Sequence, residues 1–143
     1  TLINDFRRIA KKYHISTDCF CFEINDLADI NKNYAFKNTV MKYRQAGFLI
    51  AVDSYGLEAN SITLFEKMDI DVIKLDQEFL IRAENSFLLG NLMSMLNKYS
   101  EKKNTMLIEE RVETEEQAKL AEKFGIRFGQ GYYFGEPKSA AEL

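Results

Sequence analysis

The sequence is poor in the residues that build cross-linked or metal-rich proteins. Among its 143 residues are two cysteines, one histidine, one proline and no tryptophan. A single histidine argues against histidine-rich metal sites and against histidine-based acid-base catalysis. With 46% hydrophobic and 29% charged residues, the composition is that of neither a disordered nor a fibrous chain. A chain of this length buries enough apolar surface to fold without disulfides, so we expect one domain over residues 1–143.

Charge and hydropathy argue against two classes of partner. Lys and Arg total 19 against 22 Asp and Glu, a net charge of −3, which gives no general attraction to DNA, RNA or an anionic membrane. The sequence has no uninterrupted apolar stretch of about 18 residues. It also has no signal peptide or lipidation motif. We therefore predict a cytoplasmic protein without a membrane segment.

The cysteines and the histidine point to structural rather than chemical roles. Cys19 and Cys21 lie two residues apart in an apolar run, and we expect them to be reduced thiols in the core. His14 comes near the end of a predicted helix, where a capping or exposed position is expected. No serine or cysteine is placed with a usable base, which argues against covalent hydrolase chemistry.

Helical and strand periodicities alternate along the chain. The first helix has Phe6, Ile9, Ala10 and Tyr13 on one face. Short apolar runs predict five strands, and spacings of three and four predict the helices between them. Alternation at this rhythm implies parallel strands joined by crossover helices, which is an α/β fold. The predicted strands are 19–24, 48–53, 72–76, 105–109 and 126–132, and the later helices are 34–46, 62–68, one through 87–99, and 114–124.

Polar residues fall near the carboxyl ends of the predicted strands. In parallel α/β proteins these ends and their loops form the ligand-binding rim. Several carboxylates around one mouth repel, by roughly 4 kcal/mol per pair at about 4 Å, so a divalent cation bound by oxygen ligands is one interpretation. The alternative is that each acid caps a helix or pairs with a basic residue. The candidate residues are Glu23, Asp53, Lys74, Asp76, Glu110, Glu113 and Gln130.

Five segments, taken together, resemble one known family. They read FEIND at 22–26, IAVDSYG at 50–56, VIKLD at 72–76, IEERVETEEQ at 108–117 and QGYYFGEP at 130–137. Their order and spacing resemble the EAL-type cyclic di-GMP phosphodiesterases, over most of the chain. The resemblance implies a partial TIM-type barrel of about five parallel strands. It also implies a family activity in which two Mg²⁺ or Mn²⁺ ions assist hydrolysis of cyclic di-GMP to linear pGpG.

The resemblance also implies roles for the candidate residues. Glu23, Asp53 and Glu110 match positions that bind metal in the family. Lys74 would orient the attacking water, and Glu113 would be an acid that supports the catalytic loop. Asp76, beside Lys74, and Gln130 would belong to the substrate-binding part of the site.

Several positions depart from the family pattern. Ser54 stands where the family has a second, metal-bridging Asp, Arg111 where it prefers Gly, and Asp26 where it has Glu. The Glu-Ala-Leu segment and an early Asn ligand do not precede Thr1. A two-ion clamp needs bridging carboxylates, so we expect weakened Mg²⁺ or Mn²⁺ binding and a non-catalytic domain. It would act through protein contacts or residual nucleotide binding. An active phosphodiesterase whose early strands lie elsewhere is the alternative.

Five strands cannot close an eight-stranded barrel, so the outer strands would carry unpaired edges. A second copy, an upstream segment or a protein partner is expected to cover them. The aromatic residues at 132–134 fit core or interface packing better than base stacking. The glycines beside Gln130 fit strand bending or close packing. A further alternative is a receiver-like module with Asp76 as phosphoacceptor, although no early acidic pair accompanies it.

Overall fold

The computed structural model describes residues 1–25, 34–55 and 68–142. By their internal contacts these residues group into two compact units, one with 1–53 and 68–72 and the other with 54–55 and 73–142. The strand order of the sheet is β1-β2-β3-β4-β5. Strand β1 runs parallel to β2, and β4 runs parallel to β5. The predicted α/β class is confirmed.

The first unit pairs two strands and covers them with two helices. It contains α1 (Leu2–Tyr13), β1 (Cys21–Ile24), α2 (Tyr34–Gln45) and the start of β2 (Leu49–Tyr55). A short 3-10 helix lies at Thr17–Cys19. Helix α2 ends where Gly47 takes a φ of 89°, a left-handed conformation that glycine adopts without steric cost.

An aromatic cluster forms the core of the first unit. Phe6 on α1 makes edge contacts with Phe20, Phe22 and Phe48, with ring centroids 5.0–6.3 Å apart. Tyr43 on α2 joins from the other helix, 4.7 Å from Phe22. Edge-to-face geometry at these separations adds to the stabilisation from burial alone.

Aspartates hold the segment before β3 against β2. The backbone of Asp71 donates to Ile50 O at 3.0 Å, and its carboxylate accepts from Ile50 N at 2.9 Å. Arg44 of α2 bridges the same carboxylate at 3.0 Å and Asp69 at 3.2 Å. These contacts hold Asp69 and Asp71 against α2 and β2.

The second unit alternates strands with helices. Its core includes the fully buried Ile73, Leu75, Leu80 and Met93. Strand β3 is buried along its whole length, as expected for a strand covered on both faces. The elements are β3 (Val72–Leu75), α3 (Gln77–Glu84), α4 (Phe87–Lys103), β4 (Met106–Glu109), α5 (Glu115–Lys123) and β5 (Phe128–Gly129), followed by a 3-10 helix at Ala140–Glu142.

Helix ends in this unit follow the sequence signals. Ser86 caps α4 by accepting from Leu89 N at 3.3 Å. The predicted capping box at Thr114 and Gln117 is confirmed at the start of α5. In the first unit, His14 is the C-cap residue of α1, so the predicted capping position is confirmed. Among the described helices, none has the length and apolarity needed to cross a membrane.

Other expectations were wrong. Cys19 and Cys21 are exposed rather than buried. Cys21 lies with Glu23 on the exposed face of β1, whereas Ile24 is buried, and Cys19 ends the 3-10 helix that precedes the strand. The strand predicted over 126–132 is only two residues long. The aromatic residues at 132–134 are exposed, between 45% and 65%, so they do not pack into the core; their packing at an interface stays a prediction. The helix predicted at 62–68 lies, except for Met68, outside the described residues.

Candidate functional site

Two of the predicted site residues belong to the first unit. Glu23 of β1 lies opposite Ala51 of β2, and Asp53 follows two residues after Ala51. Since alternate residues of a strand point to the same face, Glu23 and Asp53 share one face of the β1–β2 pair. Ala51, opposite Glu23 and on the same face, is 1% exposed.

Lys74 and Glu110 meet in the second unit. Lys74 Nζ lies 3.0 Å from a Glu110 carboxylate oxygen, with side chains only 10% and 14% exposed. The backbone holds the partners in place, because Glu110 N donates to Leu75 O at 3.0 Å. A charged pair with this burial is screened far less by water than a surface pair. The ion pair therefore fixes the carboxyl ends of β3 and β4 to each other.

Asp76 is the residue after β3 and is 2% exposed. One carboxylate oxygen accepts from Glu78 N at 2.7 Å and so caps α3. The other oxygen contacts the guanidinium of Arg111, which lies in the loop between β4 and α5. Both oxygens of the buried carboxylate are thus engaged, as burial of a charge requires.

Glu113 and Gln130 occupy the loops beyond β4 and β5. Glu113 is exposed, and its backbone N–H donates to Gln117 Oε1 at 2.5 Å. Gln130 is exposed too; its backbone donates to Glu109 O at 2.8 Å and accepts from Val112 N at 3.0 Å. The main chain therefore fixes both positions, while both side chains face solvent.

Two glycines frame Gln130 through close packing. A Cβ on Gly131 would overlap the backbone of Val112, and one on Gly129 would lie 2.6 Å from the ring of Phe134. The expectation of close packing at these glycines is confirmed. Only glycine lets the loop after β5 lie this close to the loop after β4.

Glu109 is a charged residue that the sequence argument missed. It is completely buried, and neither of its carboxylate oxygens has a hydrogen-bond partner. Burial raises the pKa of Glu109 from 4.5 to about 7, since desolvation disfavours the ionised form. Alternation along β4 places it on the face opposite Glu110. The sequence signal that could have identified Glu109 was its position directly before Glu110.

The second unit thus brings together Lys74, Asp76, Glu110 and Arg111 as two ion pairs. Two carboxylates face two cations, so the charges balance without a bound ion. Over residues 1–25, 34–55 and 68–142, no group of three His, Cys, Asp or Glu side chains is placed to hold a metal. Taken by themselves, the donors of this unit do not make a divalent-cation site, because each carboxylate is already paired with a cation. The assignment of Glu23, Asp53 and Glu110 as metal ligands stays a prediction, because the first two belong to the other unit.

Sequence comparison with known proteins matches this chain to a single family. A profile described as "EAL domain" matches residues 1–137. The chain is 26% identical over 135 residues to the probable cyclic di-GMP phosphodiesterase PdeA of Escherichia coli K12, covering 94% of this chain and 18% of that protein. It is 26% identical over 136 residues to the cyclic di-GMP phosphodiesterase PA2567 of Pseudomonas aeruginosa, covering 95% and 23%. The chain thus spans less than a quarter of these relatives.

Solved structures give the same fold. The EAL enzyme Bd1971, bound to cAMP and cyclic di-GMP, matches with a TM-score of 0.79 at 21% identity over 98% of this chain and 37% of that one. The Bacillus subtilis YkuI protein, which has an EAL domain and was solved with cyclic di-GMP and calcium, matches with a TM-score of 0.71 at 26% identity, over 94% and 34%. The described architecture is therefore that of part of a TIM-type barrel.

Proposed function

Since this chain belongs to the EAL domain family, we propose that it acts in cyclic di-GMP signalling as a domain that binds the nucleotide without hydrolysing it. The observation that carries the proposal is the buried Lys74–Glu110 ion pair at the carboxyl ends of β3 and β4. Ligands of barrel enzymes bind at that end of the strands.

Charge neutralisation supports nucleotide binding at this position. A cyclic dinucleotide carries two phosphodiester charges, and open carboxylates at the same mouth would repel them. Here Lys74 compensates Glu110 and Arg111 compensates Asp76. The phosphates then meet a surface on which these charges cancel, next to the cationic side chains of Lys74 and Arg111. No metal ion is needed between the phosphates and the protein.

The case against hydrolysis starts from Ser54. EAL phosphodiesterases are generally metal-dependent, and a clamp of two ions requires bridging carboxylates. A serine hydroxyl at position 54 is neutral and replaces one of them. Glu23, Asp53 and Glu110 remain as the proposed oxygen ligands for a weakly held Mg²⁺ or Mn²⁺. Lys74 and Glu113 keep their proposed catalytic positions, and Asp76 and Gln130 their proposed places beside substrate.

Protein contacts complete the proposal. Strands β1 and β5 end the sheet order, and unpaired strand edges favour pairing with another chain. A protein partner or a second copy at these edges would couple nucleotide binding to an output. We place this activity in the cytoplasm, where the nucleotide is expected.

The test is chromatographic analysis of cyclic di-GMP after incubation with the chain and Mn²⁺. The expected result is intact nucleotide, with no pGpG above a no-protein control. Steady formation of pGpG by the chain would instead support the second candidate, an active phosphodiesterase. That candidate is favoured by the curated relatives, which carry this activity in their names. The Lys74→Ala variant is the matched control, since the proposed role of Lys74 predicts that this substitution abolishes any genuine turnover.

A further inference from the structure

We propose that an exposed face of α4 is the contact surface between two copies of this chain, which pair through antiparallel α4 helices about a twofold axis. We call this face the α4 seam and define it as Leu88, Leu92, Met95 and Tyr99. It shares no residue with the outer strands or with the ion pairs beyond β3 and β4. The proposal therefore goes beyond the proposed function and does not depend on nucleotide binding.

Helix α4 has two apolar faces, and its own unit covers only one of them. Met93 and Leu96 are buried, at 0% and 3% exposure. In the α4 seam, Leu88 is 76% and Met95 is 61% exposed, and the other two residues are half-buried. At 3.6 residues per turn, the four seam residues fall within about 60° of one another around the helix. A contiguous apolar face at the surface is typical of a protein interaction site.

The composition of α4 favours a protein partner at this face over water. Residues 87–97 read FLLGNLMSMLN and include no charged residue. Phe87, at the start of the helix, is 92% exposed. The solvent-facing side of a helix ordinarily carries charged or polar side chains, so Phe87, Leu88 and Met95 at the surface indicate a face that a partner covers.

The spacing of the seam selects a second copy as that partner. Its residues are separated by four, three and four positions, a pattern that reads the same in both directions. In an antiparallel pair, Leu88 of one copy therefore meets Tyr99 of the other copy, and Leu92 meets Met95. Twofold contacts use the same surface on both subunits and require this kind of self-complementarity. Spacings of three and four are also those of knobs-into-holes packing between helices.

Charge sets the direction of the two helices. The C-terminal part of α4 carries Lys98, Lys102 and Lys103, with Glu101 as its one acid, whereas the N-terminal part is uncharged. A parallel pair would bring the lysines of the two copies side by side, and like charges oppose association. An antiparallel pair instead places each lysine-rich end against the uncharged start of the other helix.

The size of the seam sets the expected strength of the dimer. A helix of 17 residues is about 25 Å long. Contact along a single helix of this length buries less than the roughly 800 Å² per partner of a standard interface. The dimer is therefore expected to dissociate on dilution, within the concentration range that sedimentation measures.

The experiment measures the dimer dissociation constant by analytical ultracentrifugation of the whole chain over a concentration series. Every variant is made in a Phe128→Lys background, which removes association through the β5 edge. Leu88→Glu and Tyr99→Lys each place a charge in the seam and should weaken the dimer at least about tenfold. Met95→Glu, at a second exposed position, should do the same and covers the case in which Tyr99→Lys folds poorly.

A double variant tests the antiparallel arrangement itself. Leu88→Glu combined with Tyr99→Lys should recover most of the lost affinity, because the introduced acid of each copy then meets the introduced base of the other. Met41→Glu, at a 47% exposed methionine of α2, is the control and should leave the dissociation constant unchanged.

Three results would each overturn the proposal. They are a monomeric mass for the Phe128→Lys chain at every concentration, an unchanged dissociation constant in Leu88→Glu and Met95→Glu, and a double variant that dimerises no better than its single variants. None of these results depends on cyclic di-GMP, so failure of the proposed function leaves this test intact.

Discussion

Glu109 is a buried carboxyl whose protonation contributes to the pH dependence of stability. Its pKa is raised to about 7 by burial, so the folded state holds a proton that the unfolded state has released from about pH 4.5 upward. Stability tied to this proton is fully present below the unfolded pKa. It decreases as the pH rises from 4.5 towards 7 and is lost above the folded pKa.

The Glu109→Gln variant is expected to remove this pH dependence. The contribution of Glu109 to the free energy of unfolding should fall by about 3 kcal/mol between pH 4.5 and 7, at 1.36 kcal/mol for each pKa unit. The glutamine variant should show a flatter profile in denaturant titrations at matched pH values. Glu101→Gln, on the exposed side of α4, is the control and should keep the original slope. An unchanged slope in Glu109→Gln would contradict the burial argument.

Gly131→Ala tests the close packing of the two loops. Its Cβ would collide with the Val112 backbone, whereas a Cβ on Gly135 meets nothing within 4 Å. The two glycines have similar φ values, 158° and 154°, so any conformational cost is shared. Gly131→Ala should destabilise by about 1–3 kcal/mol more than Gly135→Ala, as overpacking typically does. Thermal unfolding measures the difference, and equal melting temperatures would contradict the packing.

At the scale of residues, the sequence predicted the proximity of Lys74 and Glu110, while their roles stay predictions. The position of Lys74 and Glu110 near strand ends was readable from the alternation of apolar residues, and the structure brings the two together. The Arg111–Asp76 contact was not readable, because it depends on the left-handed backbone at Arg111. Glu109 was missed because, in the sequence, it is indistinguishable from the other acidic residues of the segment 108–117.

At the scale of elements, helix ends were the most predictable features. The Thr114–Gln117 capping box is formed as its spacing predicted, because capping depends on residues three apart and on little else. Strand lengths were less predictable. The last strand stops after two residues because the chain turns at Gly131 against Val112, a tertiary contact that local sequence does not specify.

The capping box also positions the β4–α5 loop, which carries Arg111 and Glu113. Thr114→Ala should cost about 1 kcal/mol of stability, since it removes the acceptor for Gln117 N. Thr114→Ser keeps that acceptor and should cost far less. Chemical denaturation of both variants gives the comparison. A loss of similar size in the serine variant would show that the methyl group, rather than the cap, carries the effect.

At the scale of the whole molecule, the sheet order gives the chain two outer strands, β1 and β5. Phe128 of β5 is 51% exposed, so this edge carries an apolar side chain as well as backbone groups. Edges of this kind promote pairing between chains, and a lysine on them opposes it. The sequence predicted two open edges, because five strands are too few to close a barrel. The exposure of Phe128 at one of these edges is seen only in the structure.

Self-association is therefore expected to increase with concentration and to weaken in Phe128→Lys. Light scattering over a concentration series measures the mean mass of each variant. Phe128→Leu keeps an apolar side chain at the edge and should associate like the original chain. A single monomeric mass for the original chain across the whole series would contradict this prediction.

The most direct test of a nucleotide-binding, non-hydrolysing site is calorimetric titration of cyclic di-GMP into the chain in the presence of EDTA. Because Lys74 and Arg111 already balance Glu110 and Asp76, we predict saturable binding with an affinity that Mg²⁺ does not improve. Binding seen only after Mg²⁺ is added, or no binding in either buffer, would contradict it.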